Sequence, residues 1–190
     1  MNPVTHGLSG WVLGSALQLD RRDRALVTLA ALSPDLDGAG LVVDLLRGDF
    51  ALRRDYWEAW HHVLAHNLTF AVAVTGIALL LAHRRWLTGL LVFAVVHLHL
   101  LEDLVGSRGP DGYQWPIPYL APFDRSLQLT WSGQWALNGW PNIALTLLLM
   151  VITGYLVWRQ GWSFFAYFWR RGDEVLVKTL RGRFGEPSER

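Results

Sequence analysis

Residues 86–105 read WLTGLLVFAVVHLHLLEDLV. This length matches the roughly 20 mostly apolar residues that a helix needs to cross a membrane. Ionisable residues nevertheless stand near the end of the stretch, at His97, His99 and Asp103. Such groups are costly inside a membrane and are usually functional there. The stretch therefore predicts a membrane helix with a functional site close to one of its ends.

His99 and Asp103 are the firmest candidate pair. They are four residues apart, so a helix places them on one face, one turn from each other. The alternative is a buried pair that satisfies itself, which is the commoner outcome in an ordinary helix. The apolar surroundings favour a pair of metal ligands here. His97 points to another side of the helix, and we expect it either to support a ligand from behind or to have a structural role.

Four further apolar segments accompany this stretch, at residues 8–19, 25–32, 63–82 and 141–158. The last two approach the length of a membrane span. The first two are too short to span alone, and we interpret them as a buried or partly inserted hairpin. With 52% hydrophobic and 17% charged residues, the chain is more apolar than soluble proteins. The predicted fold is an all-α integral membrane bundle of four to five apolar helices.

Residues 106–139 form a long loop rich in Pro and Trp, which we expect to be an ordered cap. Residues 1–158 would be the membrane-embedded domain. Residues 159–190 would add an interfacial region, because residues 162–171 are aromatic and basic and predict an amphipathic helix on the membrane surface. The tail over residues 182–190 is expected to be disordered.

Three more clusters of His and Asp stand at ends of apolar segments. They comprise His6, the pair Asp35 and Asp37, and the trio His61, His62 and His66. An up-and-down path of the helices brings these ends, and the end that carries Asp103, to the same side of the bundle. Only His83 among the seven histidines lies outside these clusters. The sequence therefore predicts one site at one end of the bundle.

Asp35 and Asp37 follow Pro34, which should keep Ser33 out of helical conformation. We expect both carboxylates in a turn that ends segment 25–32 and aims them at one cavity. A solvated aspartate turn is the alternative interpretation.

The histidines that begin segment 63–82 leave a choice open. His62 and His66 share a helix face, whereas His61 joins His66 only if it precedes the first helical turn. An interfacial histidine cluster beside Trp57 and Trp60 is the alternative to a metal site.

The chain contains no cysteine, so any metal must be bound by imidazole and carboxylate, which suit Zn, Mn or Fe. The clusters hold enough ligands for one ion, or for two or three. Such an ion would activate water, and Asp37 would orient that water or act as general base. The net charge of +1 gives no reason to expect nucleic acid as a partner.

The basic residues predict the orientation. On the up-and-down path, 12 of the 17 Lys and Arg residues fall at the end away from the site. The five at the site end are Arg47, Arg53, Arg54, Arg108 and Arg125. Because positive charge favours the cytoplasmic side, we expect the site to face outward and the C-terminus to be cytoplasmic, in a bacterial or archaeal cytoplasmic membrane. The N-terminal residues do not have the pattern of a cleavable signal peptide.

The order of these motifs carries a resemblance. His6, Pro34-Asp35-x-Asp37, His61-x4-His66 and His99-x3-Asp103 resemble, over about residues 1–120, the YdjM-like family of membrane-bound metal-dependent hydrolases. That family is associated with the superfamily of zinc-dependent phospholipase C and single-strand nucleases. Where the family typically reads His-Arg-Gly-x-Thr-His-Ser, this chain has HHVLAHN at residues 61–67.

The resemblance implies divalent metal binding, most readily zinc, and phosphoester hydrolysis. It also implies that His6 joins Asp103 at a further ion. The candidate ligands are His6, Asp35, Asp37, His61, His66, His99 and Asp103, with His62 as the alternative to His61.

The depth of the site suggests a substrate carried by the membrane, a phospholipid or other lipid-linked phosphate. Arg108 and Trp115 would contact it. A metal transporter or sensor is the main alternative, but transporters place ionisable groups near the midplane, and segments 63–82 and 141–158 lack them there. A protein whose histidines are incidental, or a soluble helical domain, are further readings.

Overall fold

The computed structural model describes residues 1–47 and 55–188. Arg53, Arg54 and Arg190, which entered the charge argument, lie outside the described residues. The helices are α1 (Pro3–Ala16), α2 (Arg21–Leu32), α3 (Gly40–Leu46), α4 (Asp55–Trp60), α5 (Leu68–Leu81), α6 (Arg85–Gly106), α7 (Trp140–Gln160) and α8 (Arg170–Phe184). Two 3-10 helices span Ser33–Ala39 and Phe164–Tyr167, and strands β1 (Ile117–Pro118) and β2 (Gln128–Leu129) form one antiparallel pair. The predicted all-α membrane bundle is confirmed.

In the described ranges, three helical stretches are long and apolar enough to cross a membrane: Arg21–Leu46, Arg85–Gly106 and Trp140–Gln160. The first corrects the sequence prediction that this region is too short to span. Ser33 is helical, with φ −65° and ψ −30°, contrary to the expectation from Pro34. Pro34 stands at the start of the 3-10 helix, where its missing N–H costs no hydrogen bond. The chain therefore runs through Asp35 and Asp37 into α3 without a break.

Helix α5 is shorter than predicted, because it has only 14 residues and begins at Leu68. Residues 61–67 form turns and bends, and His62 adopts a left-handed φ of 61°. The side chain of Asn67 caps α5 by accepting a hydrogen bond from the Phe70 N–H, as expected of an N-cap asparagine. The three histidines of this region therefore precede the helix.

Close packing at small residues joins the helices. A Cβ atom on Gly10 of α1 would lie 2.5 Å from the Cβ of Ala31 on α2, and one on Gly89 of α6 would meet Leu79 of α5. The core between α2, α5 and α6 includes Val27, Ala30, Ala31, Ala71, Ala78, Val92, Val95 and Val96. Helix α7 packs on α1 and leaves most of its apolar surface exposed, which suits contact with lipid.

The long loop secures the end of α6 that carries the candidate site. The last carbonyl groups of a helix lack partners within the helix. Here Gln134 donates to the carbonyls of Asp103 and Leu104, and the Trp135 N–H donates to Val105. Asn142, in the first turn of α7, donates to Gly106. The loop also contacts α5, because the Leu68 N–H donates to the Tyr119 carbonyl. It is an ordered cap, as predicted.

The C-terminal region differs in detail from the prediction. The aromatic stretch at residues 162–169 forms turns and a 3-10 helix, and the amphipathic helix is α8, which starts at Arg170 and continues to Phe184. The residues 182–184 that were expected to be disordered are therefore helical. Gly161, with a φ of 75°, ends α7.

Candidate metal centre

A buried cluster of imidazole and carboxylate groups lies beside the C-terminal part of α6. His6, His66, His99 and Asp103 are each at most 2% exposed. They come from α1, from the turns at residues 61–67 and from α6. Asp37 and Asp35 contact His66 and His99, so the four sequence clusters meet at one end of the bundle, as the up-and-down path predicted.

Asp103 lies at the middle of this cluster. Its Oδ2 is 3.2 Å from the Nε2 of His99 one turn earlier on α6, and 3.1 Å from the Nε2 of His66. The Nε2 atoms of His66 and His99 are 3.1 Å apart. The Nε2 of His62 is 3.8 Å from the same carboxylate oxygen. Three imidazole nitrogens therefore surround one carboxylate oxygen.

The other oxygen of Asp103 faces a second group. The Nε2 of His6 lies 3.3 Å from Oδ1 of Asp103, and its ring stacks on that of His99 with centroids 3.6 Å apart. Asp35 Oδ1 is 3.8 Å from His99 Nε2. Two buried or part-buried trios result, His62–His66–Asp103 and His6–Asp35–His99, and the ligand atoms of each lie within 4.8 Å of one another.

The opposite ring nitrogen of each imidazole is held in place. The Nδ1 of His99 donates to the Ala31 carbonyl at 2.7 Å, and that of His62 donates to the Trp115 carbonyl at 3.4 Å. Because a carbonyl can only accept, the Nε2 of a neutral ring carries a free lone pair. The Nδ1 of His66 faces Asp37 at 2.8 Å, and that of His6 faces Glu102 at 2.6 Å. Outer hydrogen bonds of this kind orient metal-binding histidines.

These tautomers leave hydrogen-bond acceptors facing one another. The Nε2 atoms of His66 and His99 and the Oδ2 of Asp103 cannot donate to each other, although they lie 3.1–3.2 Å apart. His6 Nε2 and Asp35 Oδ2 are also buried without a hydrogen-bond partner among the described residues. Converging nitrogen and oxygen lone pairs fit a divalent cation such as zinc.

Burial lowers the pKa of His62 and of His66, and it also lowers the pKa of His6. Neutral rings are the form that binds metal. Removal from water is the largest cause in each case, with the neighbouring imidazoles adding to it. The lowered pKa values therefore favour the neutral form of these three rings.

Two further groups contact Asp103. The Ser107 hydroxyl donates to Oδ1 at 2.8 Å, and the amino group of Met1 contacts the same oxygen and the Ser107 hydroxyl. Burial lowers the pKa of this amino group to about 5. Neither group was predicted from the sequence.

Asp37 requires a correction. It was predicted as a metal ligand and as the catalytic base, but both of its oxygens are already engaged. Oδ1 accepts from the His61 Nδ1 at 3.3 Å, and Oδ2 accepts from the His66 Nδ1 at 2.8 Å and from the Ala65 N–H at 3.4 Å. Asp37 lies behind His66, and we assign it the role of a positioning residue.

The choice between His61 and His62 also changes. The ring of His61 stacks on Trp57 with centroids 3.9 Å apart and contacts Asp37 on the far side of His66. His62 takes the place predicted for His61, because the left-handed turn at residue 62 directs its Nε2 toward Asp103. A helical model of residues 61–67 could not have foreseen this geometry.

Glu102 is the main residue that the sequence prediction missed. Its two oxygens accept from His6 and from the Ser9 hydroxyl at 2.6 Å each, so it fixes the ring of His6. The signal was present, since Glu102 and Asp103 are the only acidic residues of the stretch 86–105.

The remaining histidines have structural contacts. His97 bonds the Phe93 carbonyl and the Tyr119 hydroxyl, in keeping with its predicted role. His83 lies at the opposite end, beside Asp20 and Asp23. The buried carboxylate of Asp23 accepts from the N–H groups of His83 and Arg84 and from Thr88. Asp23 therefore fixes the start of α6.

Trp115 and Arg108 occupy different positions in the cap. The Trp115 ring lies 5.2 Å from that of His61 and 5.8 Å from that of His62, and its backbone has a φ of 47°. The backbone of Arg108 pairs with Trp135 and Ala136. Trp115 is thus part of the wall of the cluster, and the predicted substrate contacts of both residues stay predictions.

The fold and the cluster define an integral membrane helical protein with a buried histidine and carboxylate centre. A family model described as YdjM inner membrane protein matches residues 1–170. The chain belongs to the YdjM inner membrane protein family. No curated protein and no solved structure matches it. The family description places the chain in a membrane and names no reaction.

Proposed function

We propose that this chain is an integral membrane, metal-dependent hydrolase that cleaves a phosphoester, with zinc as the favoured metal. The observation that carries the proposal is the convergence of the Nε2 atoms of His62, His66 and His99 on Asp103, with each opposite nitrogen already hydrogen-bonded. Such an arrangement serves a cation and has no evident use in packing alone.

The residues divide into those that would hold metal and those that position them. His62, His66 and Asp103 would hold one ion, and His6, Asp35 and His99 would hold a second. Asp37 and Glu102 position His66 and His6. A divalent ion bound there lowers the pKa of a water molecule and polarises a phosphoryl oxygen, which is the chemistry that phosphoester hydrolysis needs.

Asp35 replaces Asp37 as the candidate base. Its side chain is 20% exposed, and its Oδ2 has no hydrogen-bond partner among the described residues. Asp35 is therefore a partly exposed carboxylate of the cluster whose Oδ2, although itself buried, has no hydrogen-bond partner among the described residues. A general base needs such a free oxygen to take a proton from water.

The surroundings favour a lipid-linked substrate. His99 lies seven residues before the end of α6, which is roughly 10 Å along the helix at 1.5 Å per residue. The partly exposed Asp35 and His61 mark the side from which the cluster can be reached, and Leu36 and Leu64 beside them are 69% and 55% exposed. A substrate whose phosphate enters while its apolar chain stays in the bilayer fits this rim.

The test is hydrolysis by the full chain purified in detergent. Bis(p-nitrophenyl) phosphate, p-nitrophenyl phosphate and a fluorogenic phospholipid would be offered to the protein, before and after chelation and after zinc is restored. We expect metal-dependent release of product, reduced at least about 100-fold in Asp103→Asn. His97→Gln is the matched control, because His97 is on the same helix and contacts no member of the cluster, and it should stay active.

Two results would overturn the proposal. Equal activity of the wild type and Asp103→Asn would assign any hydrolysis to a contaminant. Bound metal without turnover of any of the three esters would instead support a non-enzymatic metal-binding protein.

A further inference from the structure

At the end of the bundle opposite the metal centre, Arg24 carries a buried positive charge. The residue is 4% exposed. Its Nη1 donates to Ser15 Oγ at 3.0 Å and to Gln160 Oε1 at 2.5 Å, and its Nη2 donates to the Leu19 carbonyl at 2.9 Å. All three acceptors are neutral, and in the described part of the chain Arg24 forms no salt bridge. A buried charge normally has an oppositely charged partner.

One donor of Arg24 and two donors of neighbouring residues also lack an acceptor. Arg24 Nε, Trp11 Nε1 and the Tyr167 hydroxyl are buried and have no partner among the residues that the structure describes. All three residues surround the ring of Trp162. The Arg24 guanidinium lies 3.9 Å from that ring's centroid, and the rings of Trp11 and Tyr167 lie 6.4 Å and 5.9 Å away. The group that would satisfy them is an acceptor with negative charge.

A second arginine extends this cluster to the surface. The guanidinium of Arg21 lies 5.3 Å from the Trp162 centroid, and the side chain is exposed. The nearby carboxylate of Asp20 is engaged by the Asp23 N–H and by His83. The Arg21 guanidinium and Arg24, whose Nε has no partner among the described residues, therefore both lie beside the Trp162 ring.

We infer that Arg21, Arg24 and Tyr167 bind the phosphate of an anionic phospholipid in the leaflet away from the metal centre. Arg21 begins one candidate span and Gln160 ends another, so the cluster lies at headgroup level. Arginine pairs readily with phosphate, and basic pockets between membrane helices bind anionic headgroups. Phe165 and Phe168, 38% and 65% exposed beside the cluster, offer apolar surface to the acyl chains.

A thermal-shift experiment on the full chain in a neutral detergent tests this site. Phosphatidylglycerol, phosphatidylcholine and inorganic phosphate would be added separately. We expect phosphatidylglycerol to raise the Tm by roughly 5–10 °C at a hundredfold excess over its Kd, and phosphatidylcholine much less. Native mass spectrometry of the wild type should show retained phosphatidylglycerol.

The variants separate this site from general surface charge. Arg21→Gln combined with Tyr167→Phe should reduce the phosphatidylglycerol shift at least by half, while the Tm without lipid stays near that of the wild type. Arg22→Gln is the matched control, because Arg22 is exposed beside Arg21 and should retain the full shift. Arg24 is left in place because it also joins α1, α2 and α7.

Three outcomes would overturn the inference. One is an equal Tm shift with phosphatidylglycerol and phosphatidylcholine. Another is an equal loss in Arg22→Gln and in the double variant. The third is a shift with inorganic phosphate as large as that with phosphatidylglycerol, which would replace the lipid by a free anion.

Discussion

Each imidazole of the metal centre depends on a hydrogen bond at its far nitrogen. Asp37 and Glu102 supply carboxylates to His66 and His6, while backbone carbonyls of Ala31 and Trp115 hold His99 and His62. These outer partners fix which ring nitrogen of each histidine faces the inside of the cluster. The orientation of each imidazole therefore depends on the acceptor at its Nδ1 as much as on the histidine itself.

Asp37→Asn tests this dependence. Asp37 accepts hydrogen bonds from the Nδ1 atoms of His61 and His66. An Asn side chain has one oxygen and one NH2 group, so it can accept from only one of them. An NH2 group facing His66 would favour the tautomer that carries its proton on Nε2, the nitrogen that faces Asp103. We expect zinc affinity to fall by about 10–100-fold, measured by competition with a coloured chelator. The helical signal in circular dichroism should not change. Unaltered affinity would show that Asp37 does not position His66.

The sequence predicted that His99 and Asp103 lie side by side on α6, because the helical periodicity alone determines this. His99 and Asp103 are one helical turn apart, and the structure keeps that turn. The choice of His62 over His61 could not be predicted, because it depends on a single left-handed residue in a non-helical segment. The same limit hid the role of Asp37, whose partners are up to 29 residues away in the sequence.

At the scale of the helices, the close approach of α1 to α2 places His6 beside His99. Gly10 makes this approach feasible, since a Cβ there would lie 2.5 Å from that of Ala31. A Cβ on Gly76 of α5 would have no neighbouring atom within 4 Å. The two glycines thus form a matched pair within helices of similar length.

Gly10→Ala should lower stability by about 1–3 kcal/mol through overpacking, whereas Gly76→Ala should be neutral or raise it by up to about 1 kcal/mol. The Tm of both variants in the same detergent measures the difference. Gly10→Ala should also weaken metal retention, because it moves α1 and with it His6. Equal Tm values for the two variants would contradict the tight α1–α2 contact.

The sequence predicted the order of the apolar helices better than their limits, and it did not predict the short helices α3 and α4. Pro34 suggested an end to α2, yet a proline in the first turn of the 3-10 helix is tolerated, and the chain continues to Leu46. The apolar residues at the start of segment 63–82 suggested a longer α5, but the cap at Asn67 begins that helix later. Local propensity does not reveal which contacts are formed between segments.

For the whole molecule, the distribution of charge predicts the orientation in the membrane. The described arginines at residues 21, 22, 84, 85 and 159 and those of α8 lie at the end away from the metal centre, whereas Arg47, Arg108 and Arg125 lie on the side of the centre and its cap. Positive charge favours the cytoplasm. We therefore propose that the centre faces outward and that α8 is cytoplasmic.

Single cysteines can test this orientation, because the chain has none of its own. Ser126→Cys lies in the exposed cap, and Thr179→Cys lies on the exposed side of α8. In intact spheroplasts, a membrane-impermeant maleimide should label the first variant only. In inverted vesicles it should label the second only. The opposite pattern would reverse the proposed orientation, and labelling of both from one side would contradict the number of spans.

The most direct test of the account is the metal content of the purified full chain. Inductively coupled plasma mass spectrometry, together with X-ray absorption at the metal edge, should show one or two bound ions with nitrogen and oxygen ligands at about 2.0–2.2 Å and imidazole scattering. His62→Ala and His99→Ala should lose metal, whereas His61→Ala should retain it. A wild-type protein without bound transition metal, or equal metal content in His99→Ala and the wild type, would contradict the metal centre.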